Sequence, residues 1–501
     1  MEVLSNLIYG FSVAITPINL LYCIVGVVTG TIIGALPGLG PSAGLAVLLP
    51  LTFGADPVAG IIMLAGIYYG AMYGGSITSI LINTPGDSAA VMTTMDGYPL
   101  AQQGRAGAAM GMAAFSSFIG GSASVIAFMF LAPVLAKAAL SFGPPEYFAL
   151  MVLGLTTLAG MTGNSPVKGF ISALLGLFFA IVGLDLVTGL PRYTYGQLEL
   201  FSGIDFIPVA MGVFGIAEIL VTAEKKVDFQ ALKSVDLSWR KLFPTLKDWA
   251  LSKWAIIRGT VVGFLIGMLP GAGATIASFI SYGMAKKSSK HPEKFGQGAI
   301  EGVAAPETAN NAASVGAFVP LLTLGVPGSA STAILMGALM MFDLRPGPLL
   351  FERNPDFVWG LIASMYVGNL VLLAMIMIFI PVFVRILQVP RASLNAVVMA
   401  FILVGAYSLN NSMFDVYLTL GFGVLGYFMK KLNYPGAPMV LALVLGALLE
   451  NSLRQSLILS EGSIGIFFAR PISAIIMVIA IGAIVFPMIK NLVKRNKASA
   501  A

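Results

Sequence analysis

Asn83, Thr84, Asp87 and Ser88 flank a Pro85-Gly86 pair inside an apolar stretch, and Ser329, Ser331 and Thr332 follow a second such pair, Pro327-Gly328. Two further breaks carry the motifs GALPGLG (34–40) and GMLPGAG (267–273), each followed by a hydroxyl, Ser42 and Thr275. Proline removes an amide donor and glycine relaxes the backbone, so each pair unwinds its helix and frees N–H and C=O groups that cannot face lipid. Groups freed in this way are buried against protein or line a wet cavity, where helix N-termini attract anions and carbonyls coordinate Na⁺. Hydroxyl and amide side chains at a helix start hydrogen-bond carboxylate oxygens and also ligate hard cations.

The candidate binding residues follow from these breaks. They are Pro37, Gly38, Gly40 and Ser42 at the first motif and Asn83, Thr84, Pro85, Gly86, Asp87 and Ser88 at the first Pro-Gly crossing. The second motif adds Pro270, Gly271, Gly273 and Thr275, and the second crossing adds Pro327, Gly328, Ser329 and Ser331. The stretch APETANNAASVGAFVP (305–320) contributes Glu307, Asn310 and Asn311 just ahead of that crossing. A candidate Na⁺ position lies near Asn83, Thr84, Asn311 and Ser329. A bulky side chain at Gly86 or at Gly328 is expected to fill space the ligand needs while leaving the fold intact. The plainer alternative reads the same residues as kinks, N-caps and close helix packing, with APET as an exposed helix start.

The elements that must position them repeat. The two glycine-proline motifs lie 233 residues apart, and Pro85 and Pro327 lie 242 apart, in INTPGDSAAVM (82–92) and GVPGSASTAILM (325–336). Two ordered pairs point to an internal duplication, each half holding a re-entrant hairpin and a broken transmembrane helix. The expected divisions are a first membrane repeat over 1–222, a cytoplasmic linker over 223–253, and a second repeat with a C-terminal helix and tail over 254–501. Lys and Arg gather in that linker, in KKSSKHPEK (286–294) and in KNLVKRNK (490–497). Placing all three in the cytoplasm makes the crossings alternate and brings the two halves out inverted, with Arg345–Asp356 outside.

Composition agrees with a membrane body. Of 501 residues, 57% are hydrophobic and 10% charged, and the mean hydropathy is +0.91, where soluble domains are about 25% charged. The expected fold is an all-α polytopic membrane protein with inverted repeats. A net charge of +6 is explained by loop topology rather than by a nucleic-acid partner. The first basic residue is Arg105, so the N-terminus is expected to be retained rather than cleaved as a signal peptide. Cys23 stands alone inside an apolar run and reads as a small core residue. Glu146, Asp185 and Glu218 sit near segment ends and read as interfacial, while Arg105 and Lys168 are the cations nearest the rim of the expected site.

The motifs GALPGLGPSAGLAVLLPLTFG, NTPGDSAAVMTTMDGYPL, GMLPGAGATIASF and PETANNAASVGAFVPLLTLGVPGS resemble the large membrane subunit of the tripartite tricarboxylate transporters, over nearly the whole chain. The resemblance implies a secondary transporter of the bacterial inner membrane. It also implies a small membrane subunit and a periplasmic solute-binding protein as partners, citrate or another carboxylate as substrate, and a cation gradient, Na⁺ or proton, as drive.

Competing functions fare less well. The single histidine, His291, lies in a Lys-rich loop, which argues against His-rich metal ligation and a triad base. No GxxxxGK[ST] phosphate loop is present, so neither enzyme chemistry nor ATP use is expected, and no cofactor. A stand-alone ion-coupled carrier or channel for another small anion is the remaining alternative. It is separated from a coupled importer by whether solute accumulates.

Overall fold

The structure is a computed structural model that describes residues 2–36, 38–161, 165–185, 188–224, 239–271, 273–386 and 391–482. Within these residues the regular structure is helical apart from one short ribbon, β1 (Gly183–Leu184) paired antiparallel with β2 (Pro191–Arg192). Eight helices among the described residues are long and apolar enough to cross a membrane.

The first half opens with α1 (Glu2–Ala14) and a hairpin, α2 (Pro17–Gly34) and α3 (Gly40–Leu48). Next come α4 (Pro57–Ile82) and α5 (Val91–Leu100), the two pieces of the first broken crossing. The remaining helices of this half are α6 (Ala106–Ala139), α7 (Pro144–Met161), α8 (Pro166–Ala180), and α9 (Phe206–Ala210) joined to α10 (Ala217–Glu224) by a π-helical turn. After a short α11 (Trp239–Leu242), a second hairpin is made by α12 (Leu246–Gly267) and α13 (Gly273–Ser288). A second broken crossing follows, α14 (Glu301–Gly316) and α15 (Phe318–Leu324) before the break and α16 (Ala330–Met341) after it. The chain continues through α17 (Leu350–Arg353), α18 (Pro355–Ile386), α19 (Arg391–Asn410), α20 (Met413–Lys431), α21 (Gly436–Leu459) and α22 (Ile466–Ala469), with a last apolar helix over Pro471–Gly482.

Helix α12 begins at Leu246, inside the span expected as linker, because Thr245 and Asp248 form a reciprocal capping box that starts it there. The opposite faces of α12 show what the helix packs against. Trp254, Ile257, Val261 and Leu265 face outward, while Gly259, Gly263 and Gly267 face α14. Added Cβ atoms at those glycines would lie 2.9, 2.5 and 2.3 Å from the carbonyl oxygens of Ala305, Ala309 and Ala313. Only glycine allows the two backbones to approach so closely.

The same contact is built in the first half. Cβ atoms at Gly26, Gly30 and Gly34 would meet the carbonyl oxygens of Met63, Ile67 and Ala71 at 2.2–2.3 Å. The hairpin glycines correspond at the offset of the first motif pair and the carbonyls at the offset of the Pro-Gly pair. The hairpin-to-crossing packing is therefore repeated residue for residue. Helix α4 is the most enclosed span, 94% buried, and Ser393–Asn410 the least, 22%, so the broken crossings form the centre and α19 lies at the periphery. Cys23 is buried beside Ser364, as a core residue.

Candidate functional site

Each hairpin tip is folded onto the break of its own half. Gly38 (φ +95°) donates its N–H to the carbonyl of Gly86 at 3.1 Å, and Gly271 (φ +83°) donates to the carbonyl of Gly328 at 2.8 Å. The tips then turn into α3 and α13 through Gly40 and Gly273, at φ +59° and +58°. These left-handed angles are the reason the two motifs carry glycine at both positions. Pro37 lies outside the described residues.

The breaks are also built alike. Helix α4 ends at Asn83, which is left-handed (φ 55°), and α15 ends at Gly325 (φ 68°), the equivalent position. Thr84 and Val326 then donate N–H groups back to Thr78 and Pro320. Beyond the break, the Asp87 carboxylate accepts the Ala90 N–H at 3.0 Å, and the Ser329 hydroxyl accepts the Thr332 N–H at 3.3 Å. Ser329 thus caps the start of α16, while Asp87, at the corresponding position, closes the turn that leads into α5.

The halves meet through hydroxyls. Ser42, from the first hairpin, lies 3.1 Å from Ser331 on the second crossing, and Ser88, from the first crossing, lies 2.7 Å from Thr275 on the second hairpin. Around these contacts lies a cavity of about 770 Å³ lined by residues of both tips and both breaks. Of the nominated residues, Gly38, Gly40, Ser42, Pro85, Gly86, Asp87, Ser88, Gly271, Gly273, Thr275, Gly328, Ser329 and Ser331 line it. Pro270 and Pro327 shape the adjoining turns and Asn83 and Thr84 the end of α4; none of these is among the lining residues.

Glu307, Asn310 and Asn311 lie elsewhere, wholly buried on α14, with Pro306 inside the helix rather than at an exposed start. Glu307 accepts hydrogen bonds from the hydroxyls of Thr93 and Ser117. Asn311 donates to Ser117 at 2.7 Å, and Asn310 donates to the carbonyl of Met72, a cavity-lining residue. Of the four residues nominated for Na⁺, only Ser329 lines the cavity.

The cavity also includes residues that were not nominated: Tyr68, Met72, Phe214, Glu218 and Lys430. Lys430 pairs with Glu218. Glu218 reads from sequence as an interfacial acid, and no local pattern marks it or Lys430 as a partner of the tips. Arg105 pairs instead with Asp248 at 2.7 Å, and Lys168 donates to the carbonyl of Leu432, so neither belongs to the lining.

A larger cavity, about 1010 Å³, lies at the other end of α16, where Gly337 and Met340 contribute to its wall along with Phe206, Arg192 and Glu450. It contains none of the nominated residues, so the smaller cavity, where four helix interruptions converge, is the candidate site.

Comparison with known proteins gives a family and two relatives. The model of the "Tripartite tricarboxylate transporter TctA family" matches residues 20–441. An uncharacterized 52.8 kDa protein in the TAR-I ttuC' 3' region of Agrobacterium vitis is 44% identical over 499 residues, 99% of either chain. An uncharacterized protein in the TAR-II ttuC' 3' region of the same organism is 41% identical over 230 residues, covering 46% of this chain and 95% of the relative. No solved structure matches.

Proposed function

The chain belongs to the tripartite tricarboxylate transporter TctA family, and from that premise we propose that it is the large transmembrane subunit of a binding-protein-dependent secondary transporter. It imports tricarboxylates or related carboxylates across the bacterial inner membrane, driven by a Na⁺ or proton gradient. A periplasmic solute-binding protein delivers the substrate, and a small membrane subunit completes the complex.

The observation that carries this reading is the convergence of both hairpin tips and both Pro-Gly breaks on one cavity. Helix starts and hydroxyls present donors there to carboxylate oxygens, and unwound backbone offers carbonyls to a cation. The repeated packing of hairpin on crossing supports an internal duplication, and the distribution of Lys and Arg favours an inverted one, with its pseudo-two-fold axis in the membrane plane. With the linker and C-terminus in the cytoplasm, Glu218 lies toward the cytoplasmic end of its span.

The test is accumulation in proteoliposomes. The chain reconstituted with the small subunit and binding protein is expected to concentrate labelled citrate or another carboxylate when a Na⁺ or proton gradient is imposed. The chain alone should show little uptake at micromolar substrate. Efficient uptake by the chain alone, or equilibration without accumulation, would replace this reading with a stand-alone carrier or a channel.

A further inference from the structure

Among the described residues lining the cavity, Lys430 is the one cation, and the acids are Asp87 and Glu218. A lining with more acid than base repels an anion, so an anionic substrate needs that lysine. Neighbouring cations are committed elsewhere: Lys431 pairs with Glu224, and Lys168 donates to Leu432 and stands 5.0 Å from the centre of the Tyr434 ring. Lys430 is instead held by a residue of the same wall, Glu218. The Glu218 carboxylate lies between two elements. One oxygen meets Lys430, and the other lies 2.7 Å from where a Cβ on Gly38 would stand, at the first hairpin tip.

Resting on the transport reading above, we propose that Lys430 is the countercharge for a substrate carboxylate and that Glu218 is an internal placeholder which the substrate displaces. Glu218 presents to Lys430 the same chemical group that the substrate brings, in a wall where the lysine side chain is 34% exposed and so reachable from the cavity. Substrate entry exchanges one lysine–carboxylate pair for another, so Lys430 stays paired while Glu218 gives up its partner in the cavity wall. The released Glu218 no longer ties α10 to α20, beside the tip at Gly38. Binding is thereby linked to loss of the α10–α20 ion pair.

The test uses the purified full-length chain and citrate as probe, with inorganic phosphate as an anion lacking carboxylate. Lys430→Gln is expected to weaken citrate binding at least tenfold, and Lys430→Arg to retain most of it. Glu218→Gln should bind citrate several-fold more tightly, because the internal competitor is gone. The double variant should be as weak as Lys430→Gln. A purely structural ion pair predicts something else, equal weakening by Lys430→Gln and Glu218→Gln, and that result overturns the proposal. Unchanged affinity in Lys430→Gln overturns it too. Should the unaltered chain bind phosphate but no carboxylate, the transport reading itself fails, an outcome distinct from a carboxylate-binding chain indifferent to Lys430.

Discussion

The hydroxyls of Ser42 and Ser331 stand 3.1 Å apart, joining the first hairpin to the second broken crossing across 289 residues of chain. Their counterpart is the Ser88–Thr275 contact, which joins the first crossing to the second hairpin. The cavity wall thus holds two hydroxyl contacts between the halves, beside the Glu218–Lys430 ion pair.

Ser42→Ala and Ser331→Ala should each remove the same hydrogen bond, so the double variant should cost less than the sum of the two. The coupling expected for a neutral hydroxyl pair is about 0.5–1.5 kcal/mol. A thermal-melting double-mutant cycle on the solubilised protein measures it. Strict additivity would mean that the contact contributes nothing.

Gly86 and Gly328 should respond differently to substitution. A Cβ on Gly86 would lie 2.3 Å from the Gly34 carbonyl oxygen and 2.5 Å from the Gly75 Cα, whereas the nearest atom to one on Gly328 is 3.7 Å away. Gly86→Ala should therefore sharply reduce the yield of folded protein. Gly328→Ala should fold normally, and Gly328→Leu should fold and lose uptake. The equal tolerance expected from sequence does not hold, because the Gly86 side of the break is closed by backbone. Expression and size-exclusion profiles, followed by uptake, separate the outcomes.

Tip glycines should differ in a similar way. Gly273→Ala meets no atom within 4 Å and suffers only the left-handed backbone cost, about 1–2 kcal/mol. Gly38→Ala adds a collision with Glu218 and should be the more damaging of the two. Relief of Gly38→Ala by Glu218→Ala in the melting temperature would identify the collision as the cause.

Glu307→Ala should destabilise by about 1–3 kcal/mol for each hydroxyl proton, of Thr93 or Ser117, left without an acceptor in the interior. Glu307→Gln keeps an acceptor for one of them and should be milder. Because Glu307 is not among the cavity-lining residues, the loss should appear first in thermal melting. A change in substrate affinity with unaltered stability would place it in the site after all.

With Cys23 replaced, single cysteines at Lys290 and Arg353, both exposed, should label from opposite sides, Lys290 from the cytoplasm and Arg353 from the periplasm. Labelling of Arg353 from the cytoplasm contradicts the inverted arrangement of the halves.

Helical membrane character, the places where helices stop and the duplication were legible in the sequence, because each is dictated locally. Apolar length makes a span, a Pro-Gly pair ends one, and left-handed turns demand glycine at Gly38, Gly40, Gly271 and Gly273. Such determinants lie within a few residues of what they determine, so each motif recurs intact in the second half, the hairpin motifs 233 residues on and the Pro-Gly pairs 242. Which polar residues share a cavity was decided by packing between elements hundreds of residues apart. Asn83 looked like a ligand and ends a helix, in the role of Gly325. Glu307 and Asn311 looked like neighbours of the break and are sealed with Thr93 and Ser117. Lys430 and Glu218 carried no motif, and they reach the cavity only because α20 packs beside α10, bringing a loop-like lysine to an acid 212 residues away. Helix periodicity tells a side chain which face of its own helix it occupies, but the identity of the facing helix is set by the fit of glycine stripes against neighbouring backbones.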